Sequence, residues 1–166
     1  MSKMIRLTAL MSVLLLCTSF SLKGAATVSK DIKPDTAAIE KAIKATYAEI
    51  TKAAEAVDAE KLFSYVLDNE KGALISNGKL TLTRQQAADD FKTNSAGIAA
   101  VDYAMDRQYV TVISPETAVM VAEGRFDATT TDGRVFGTPM AQTVVFVLKD
   151  GGWKVLHSHT SMPAPR

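Results

Sequence analysis

From Thr36 the chain is rich in Ala, Glu and Lys, and Ile39, Ile43, Tyr47 and Ile50 recur every three to four residues. That spacing makes one apolar face of a helix running from residue 36 to about residue 57. Asp58 stands where an N-cap belongs, and Leu62, Phe63, Val66 and Leu67 predict a second, short helix behind it. Asn77-Gly78 is a turn signal between two short extended pieces, 73–76 and 80–82. Thr83 is placed to cap a third helix reaching about residue 93, with Ala87, Ala88 and Phe91 as its apolar positions.

After Gly97 the period changes from helical to extended. Residues 98–113 are rich in Val, Tyr, Ile and Thr, Ser114-Pro115-Glu116 reads as a turn, and 117–129 form a second strand. Thr131-Asp132-Gly133 turns the chain into a third strand over 135–148, and Asp150-Gly151-Gly152 turns it into a last one over 153–161. Helices followed by long consecutive hairpins predict an α+β fold with an antiparallel sheet.

The N-terminus follows a different rule. Lys3 and Arg6 open it, residues 7–20 are apolar apart from Thr8, Ser12, Thr18 and Ser19, and the small residues Gly24-Ala25-Ala26 follow. Basic start, apolar run and small residues in that order are those of a secretory signal peptide. The run is shorter than the ~20 residues a spanning helix requires. The expected organisation is a signal peptide over 1–26, a linker over 27–35 and one domain over 36–163, in a periplasmic or secreted protein without a membrane partner after cleavage. A lipoprotein would keep Cys17 as the acylated residue, but Leu16 stands before it where a small residue belongs.

The whole chain of 166 residues carries 19 basic and 18 acidic side chains. Removing Lys3, Arg6 and Lys23 leaves 16 basic against 18 acidic residues, a net −2, and no field that would gather nucleic acid. Cleavage also removes Cys17, the one cysteine, so neither a disulfide nor thiolate chemistry is expected in the mature protein. Glycine-rich phosphate loops, a nucleophile elbow and basic clusters with interleaved aromatics are absent from the sequence.

Two constellations carry candidate chemistry. On the second long strand Glu123, Arg125 and Asp127 share one side, while Met120, Ala122 and Phe126 occupy the other. Alternating charges suit a solvated face; equally, a guanidinium held by a neighbouring carboxylate can offer its remaining donors to an anionic ligand. On the last strand His157 and His159 share a face. They are the only histidines and no cysteine follows the leader, so a closed metal site would need Asp or Glu to complete it, and none is expected. A neutral imidazole remains a possible general base.

The element order, and above all Trp153-Lys154-Val155-Leu156-His157-Ser158-His159-Thr160-Ser161 followed by Pro163, resembles the nuclear transport factor 2-like, or SnoaL-like, superfamily. Within it the C-terminal strand is most similar to the association domain of calcium/calmodulin-dependent kinase II and its bacterial relatives. The resemblance implies a strongly curved sheet wrapped around the helices as a cone, a pocket in its open end, and a homodimer formed through the sheet. It implies that Arg125 lines the pocket, while Val144 and Thr160 stand where two further pocket arginines would be. It also implies a histidine pair that binds no metal; Trp153, the one tryptophan, reads as a packing anchor rather than a ligand platform.

Enzymes of the same fold, such as ketosteroid isomerase, use a carboxylate on the short strand after the second helix; residues 73–78 here contain no acid. Tyr47 falls about one turn from that enzyme's helix tyrosine, and Asp102 and Asp106 are the acids available on the first long strand. The reading that follows is a non-catalytic module without a cofactor, binding a small molecule or peptide through Arg125, Glu123, Tyr47, His157 and His159. The alternative is a small isomerase, cyclase or hydrolase using His157, His159 or a long-strand acid as base.

Overall fold

Asp35 opens the described chain as a cap, its side chain accepting the Ala38 amide at 3.0 Å. The computed structural model describes residues 35–69, 71 and 73–163; the expected leader, its cleavage site and nearly all of the linker lie outside them. Helix α1, Thr36–Glu55, buries Ile43, Tyr47, Ala53 and Ala54. It ends two residues earlier than the apolar spacing predicts. Val57 turns to φ 53° and donates to the Ala54 carbonyl at 3.0 Å, and Asp58 donates to that of Ala53 at 3.0 Å. These two bonds close a Schellman turn, with a β-branched residue in a place usually given to glycine.

Asp58 then caps α2, Ala59–Ser64, by accepting the Lys61 amide at 2.9 Å. Strands β1, Leu74–Ser76, and β2, Lys79–Thr81, are joined by Asn77 and Gly78, both at positive φ, as a tight hairpin turn requires. Helix α3, Arg84–Asn94, starts with a capping box between Thr83 and Gln86. Four long strands follow: β3, Ile98–Ser114; β4, Thr117–Thr130; β5, Val135–Lys149; and β6, Gly152–Ser161.

The six strands form one curved, unclosed sheet in the order β2-β1-β6-β5-β4-β3. Every pairing is antiparallel except one. Strand β1 runs parallel to β6, with Leu74, Ile75 and Ser76 opposite Ser158, His159 and Thr160. The reason lies in the connection: the chain reverses at β1–β2, β3–β4, β4–β5 and β5–β6, while α3 carries it from β2 into β3 without a net reversal, and this even number of reversals returns β6 in the direction of β1.

Bulges help bend the sheet. One shifts the β3–β4 register between Met105 and Arg107, another the β5–β6 register at Val145 and Phe146. Gly124 sits opposite the first, where a Cβ would approach the Ala104 carbonyl oxygen to 2.1 Å. No larger residue fits there.

Alternation gives the sheet two unlike faces. The concave face carries Ala118, Met120 and Ala122 of β4, Met140, Val144 and Phe146 of β5, and Val155 and Ser158 of β6, all buried. Ile43 and Tyr47 of α1 and Phe63 of α2 join the same apolar cluster, and Trp153 packs against it partly buried. Among the described residues no helix is long and apolar enough to cross a membrane. Phe146 has no solvent exposure. Phe146→Ala is therefore expected to lower the unfolding free energy by about 3–5 kcal/mol in urea titrations, with the fold retained.

Candidate functional site

Between α1 and the concave face lies a cavity of about 200 Å³. Its apolar wall is built by Leu62, Phe63 and Val66 around α2, Phe91 of α3, and Val144 and Val155 of the sheet. Its polar groups are Tyr47 and Thr51 of α1, Tyr103 of β3, Gln142 of β5, and Ser158 and Thr160 of β6, with Ser76 of β1. Every one is a hydroxyl or an amide. Among the described residues that line it there is no carboxylate, imidazole, amine or guanidinium.

The polar groups are ordered. The Tyr47 hydroxyl donates to Gln142 Oε1 at 2.7 Å and touches Met105 Sδ at 3.5 Å, and Gln142 Nε2 donates to Thr160 Oγ1 at 2.9 Å. Helix spacing aims Tyr47 inward one turn below Ile43, and strand pairing sets Gln142 directly opposite Thr160. Burial, with a smaller contribution from Tyr103, pushes the Tyr47 phenol up to about 12, against a hydrogen bond from Thr51 that lowers it. The Tyr103 phenol is also raised, by burial and then by the nearby Glu55, whose carboxylate accepts the Tyr103 amide at 3.1 Å. Both phenols therefore stay protonated at neutral pH and act as hydrogen-bonding groups, not bases.

Of the five residues expected to bind ligand, only Tyr47 reaches this cavity. Arg125 lies on the other, convex face, where its Nε donates to both oxygens of Asp127 at 3.0 and 3.1 Å. Gly137 makes room for that pair, since a Cβ there would stand 1.7 Å from Asp127 Oδ1. The guanidinium is thus held by a neighbouring carboxylate, but the hollow is not beside it: β4 turns its even-numbered side chains inward, and Arg125 is odd.

Glu123 forms an ion pair with Arg107 on the same convex face. Both line a shallow groove with Tyr109, Val121, Thr143 and His159. His157 stands opposite Val145, between the inward positions Val144 and Phe146, and so shares this face. The structure brings Glu123 and His159 together, separates both from Tyr47 by the thickness of the sheet, and places Arg125 beyond the groove. Among the described residues no group of three or more His, Cys, Asp or Glu is placed to hold a metal.

The family model of the SnoaL-like domain matches residues 43–165. The chain belongs to this family. A search of curated proteins gives no match. Among solved structures, this SnoaL-like chain is similar to a nuclear transport factor 2-like superfamily protein from Salmonella enterica, at 18% identity and a TM-score of 0.70, over 78% of this chain and 94% of that one. It is similar to a candidate dehydratase of the same family from Streptomyces avermitilis, at 17% identity and 0.69, over 78% and 99%. A candidate calcium/calmodulin-dependent protein kinase II association domain from Xanthomonas campestris matches at 17% and 0.65, over 75% and 87%. At these identities the likeness speaks for the fold.

Within the SnoaL-like cone, Val144 and Thr160 do line the cavity. The two places where the resemblance puts arginines are thus inside, filled by an apolar and a hydroxyl side chain. Sequence reasoning passed over Gln142, Thr51, Tyr103 and Ser158. A signal existed for Gln142: it interrupts the apolar inward series Met140, Val144, Phe146 with a single amide.

The raised Tyr47 phenol has a consequence for stability. Its folded value of about 12 lies above the ordinary 10.0, so folding favours the protonated form. That contribution is complete below pH 10 and is lost as pH rises through 12. In alkaline unfolding curves the wild type is expected to lose stability relative to Tyr47→Phe across that window. Parallel curves would show that Tyr47 ionises freely.

Proposed function

We propose that this SnoaL-like protein is an exported, non-catalytic binding module that holds a small, uncharged, largely apolar molecule between α1 and the concave face of the sheet. The observation that carries the reading is the composition of the cavity wall, in which no group ionises near neutral pH. Proton abstraction from carbon or activation of water needs a base at the substrate. The two phenols are held protonated, and the two histidines lie across the sheet from the cavity. Moving an ion into such a wall forfeits its hydration without a paired charge. The volume suits a molecule of one ring better than a peptide segment. Export is supported by the leader-like order of charge, apolar run and small residues over 1–26.

The convex face supports the dimer. Tyr109 and Ile113 are 62% and 63% exposed there, and Val121 is exposed beside them. Exposed apolar clusters of this kind mark interaction surfaces, and the strand alternation that builds this one presents the same surface on every copy, as a two-fold pairing requires. Size-exclusion chromatography of the mature protein with light scattering is expected to give a dimer; a monomer at micromolar concentration would remove the convex-face pairing.

The ligand class is tested with an isosteric pair, benzamide and benzoate, in calorimetric titrations at pH 7. Benzamide is expected to bind, and benzoate at least about tenfold more weakly, the effect of burying one unpaired charge. Benzoate binding as tightly as benzamide would overturn the neutral-cavity reading.

A further inference from the structure

Hydrogen bonds run in series across the cavity, and their direction decides what a ligand must offer. Tyr47 gives its proton to Gln142 Oε1 at 2.7 Å. Gln142, its carbonyl oxygen taken up toward the helix, turns its NH₂ group to Thr160 Oγ1 at 2.9 Å. Each step fixes the next, because a phenol is a better donor than acceptor and an amide has its oxygen on one side and its nitrogen on the other.

The series ends at Thr160. Its oxygen accepts from Gln142, so its hydroxyl hydrogen is left over, and among the described residues it is given to no partner. The backbone of Thr160 stands in the ladder on both sides, opposite Ser76 and Gln142, while its side chain lines the cavity. The free donor therefore points to the contents of the cavity. An alcohol placed there would bring a hydrogen of its own needing an acceptor. A carbonyl oxygen brings none, and is the stronger acceptor than an ether. With Val144 rather than a cation beside the strand, the oxygen is neutral.

Resting on the neutral-cavity reading, we propose that Thr160 is the specificity-determining residue of this site, and that the ligand is an uncharged carbonyl compound. Its oxygen accepts the Thr160 hydroxyl proton while its apolar body lies against Leu62, Phe63 and Phe91. Gln142 is a positioning residue: it orients Thr160 and is itself oriented by Tyr47.

The test uses three probes of nearly one shape, acetophenone, ethylbenzene and 1-phenylethanol, titrated calorimetrically into the purified mature protein. Acetophenone is expected to bind about tenfold more tightly than ethylbenzene, the worth of one good hydrogen bond in a dry site. Thr160→Val should bring acetophenone down to the affinity of ethylbenzene, and Thr160→Ser should restore the gap. A purely structural role for Thr160 would weaken both probes alike and leave their ratio unchanged.

Because Thr160→Val also strips Gln142 of its acceptor, a measurement on the wild type stands beside it. The infrared carbonyl stretch of bound acetophenone should lie below its value in hexane. An unshifted stretch, an undiminished preference in Thr160→Val, or tighter binding of 1-phenylethanol would each overturn the carbonyl assignment while leaving a neutral cavity in place. Failure of all three probes to bind would remove both readings.

Discussion

The seating of α1 on the concave face of the sheet is the contact on which the rest of the structure depends. Ile43, with no exposed surface, and Tyr47 enter an apolar layer made by Met120, Val144, Phe146 and Val155. Each buried side chain of this size contributes about 1.5–3 kcal/mol relative to exposure. Burial is not complete, and that is what makes a site. One turn of α1 beyond Ile43 carries a phenol instead of an alkyl group, and the sheet answers it with an amide, so that packing gives way to a hydrogen-bonded hollow without leaving a buried polar side-chain atom unpaired.

The two faces of the sheet divide the chemistry between them. Charges are spent on the outside: Arg125 with Asp127 and Arg107 with Glu123 all project from the convex side. Inside, the sheet presents alanine, methionine, valine and phenylalanine, with Ser76, Tyr103, Gln142, Ser158 and Thr160 as its polar groups at the cavity. A pleated strand permits this division because neighbours in sequence are never neighbours on a face.

The elements themselves were largely legible. Capping residues at Asp58 and Thr83 and turns at Asn77-Gly78 and Gly133 stand where local chemistry placed them, and the α+β order follows from the change of period after Gly97. The site was legible only in part. Alternation correctly separated Glu123, Arg125 and Asp127 from Met120, Ala122 and Phe126, yet alternation alone does not say which set faces the helices. Buried Met120 and Ala122 decide it. Gln142 escaped notice, and Thr160 was read only as the place of a missing arginine, for another reason: each is an ordinary polar residue in a strand, and their pairing arises only when β5 and β6 stand side by side.

The parallel pairing of β1 with β6 joins the early part of the fold to its last strand, and Leu74, Ile75 and Ser76 meet Ser158 and Thr160 at the wall of the cavity. Loop closure over such a span is entropically costly and slow compared with local hairpins. The long β3–β4–β5–β6 meander can therefore assemble from nearest neighbours, with β1 docking as a late kinetic event. That seam is part of the wall of the hollow, so parting β1 from β6 would open the hollow along one side.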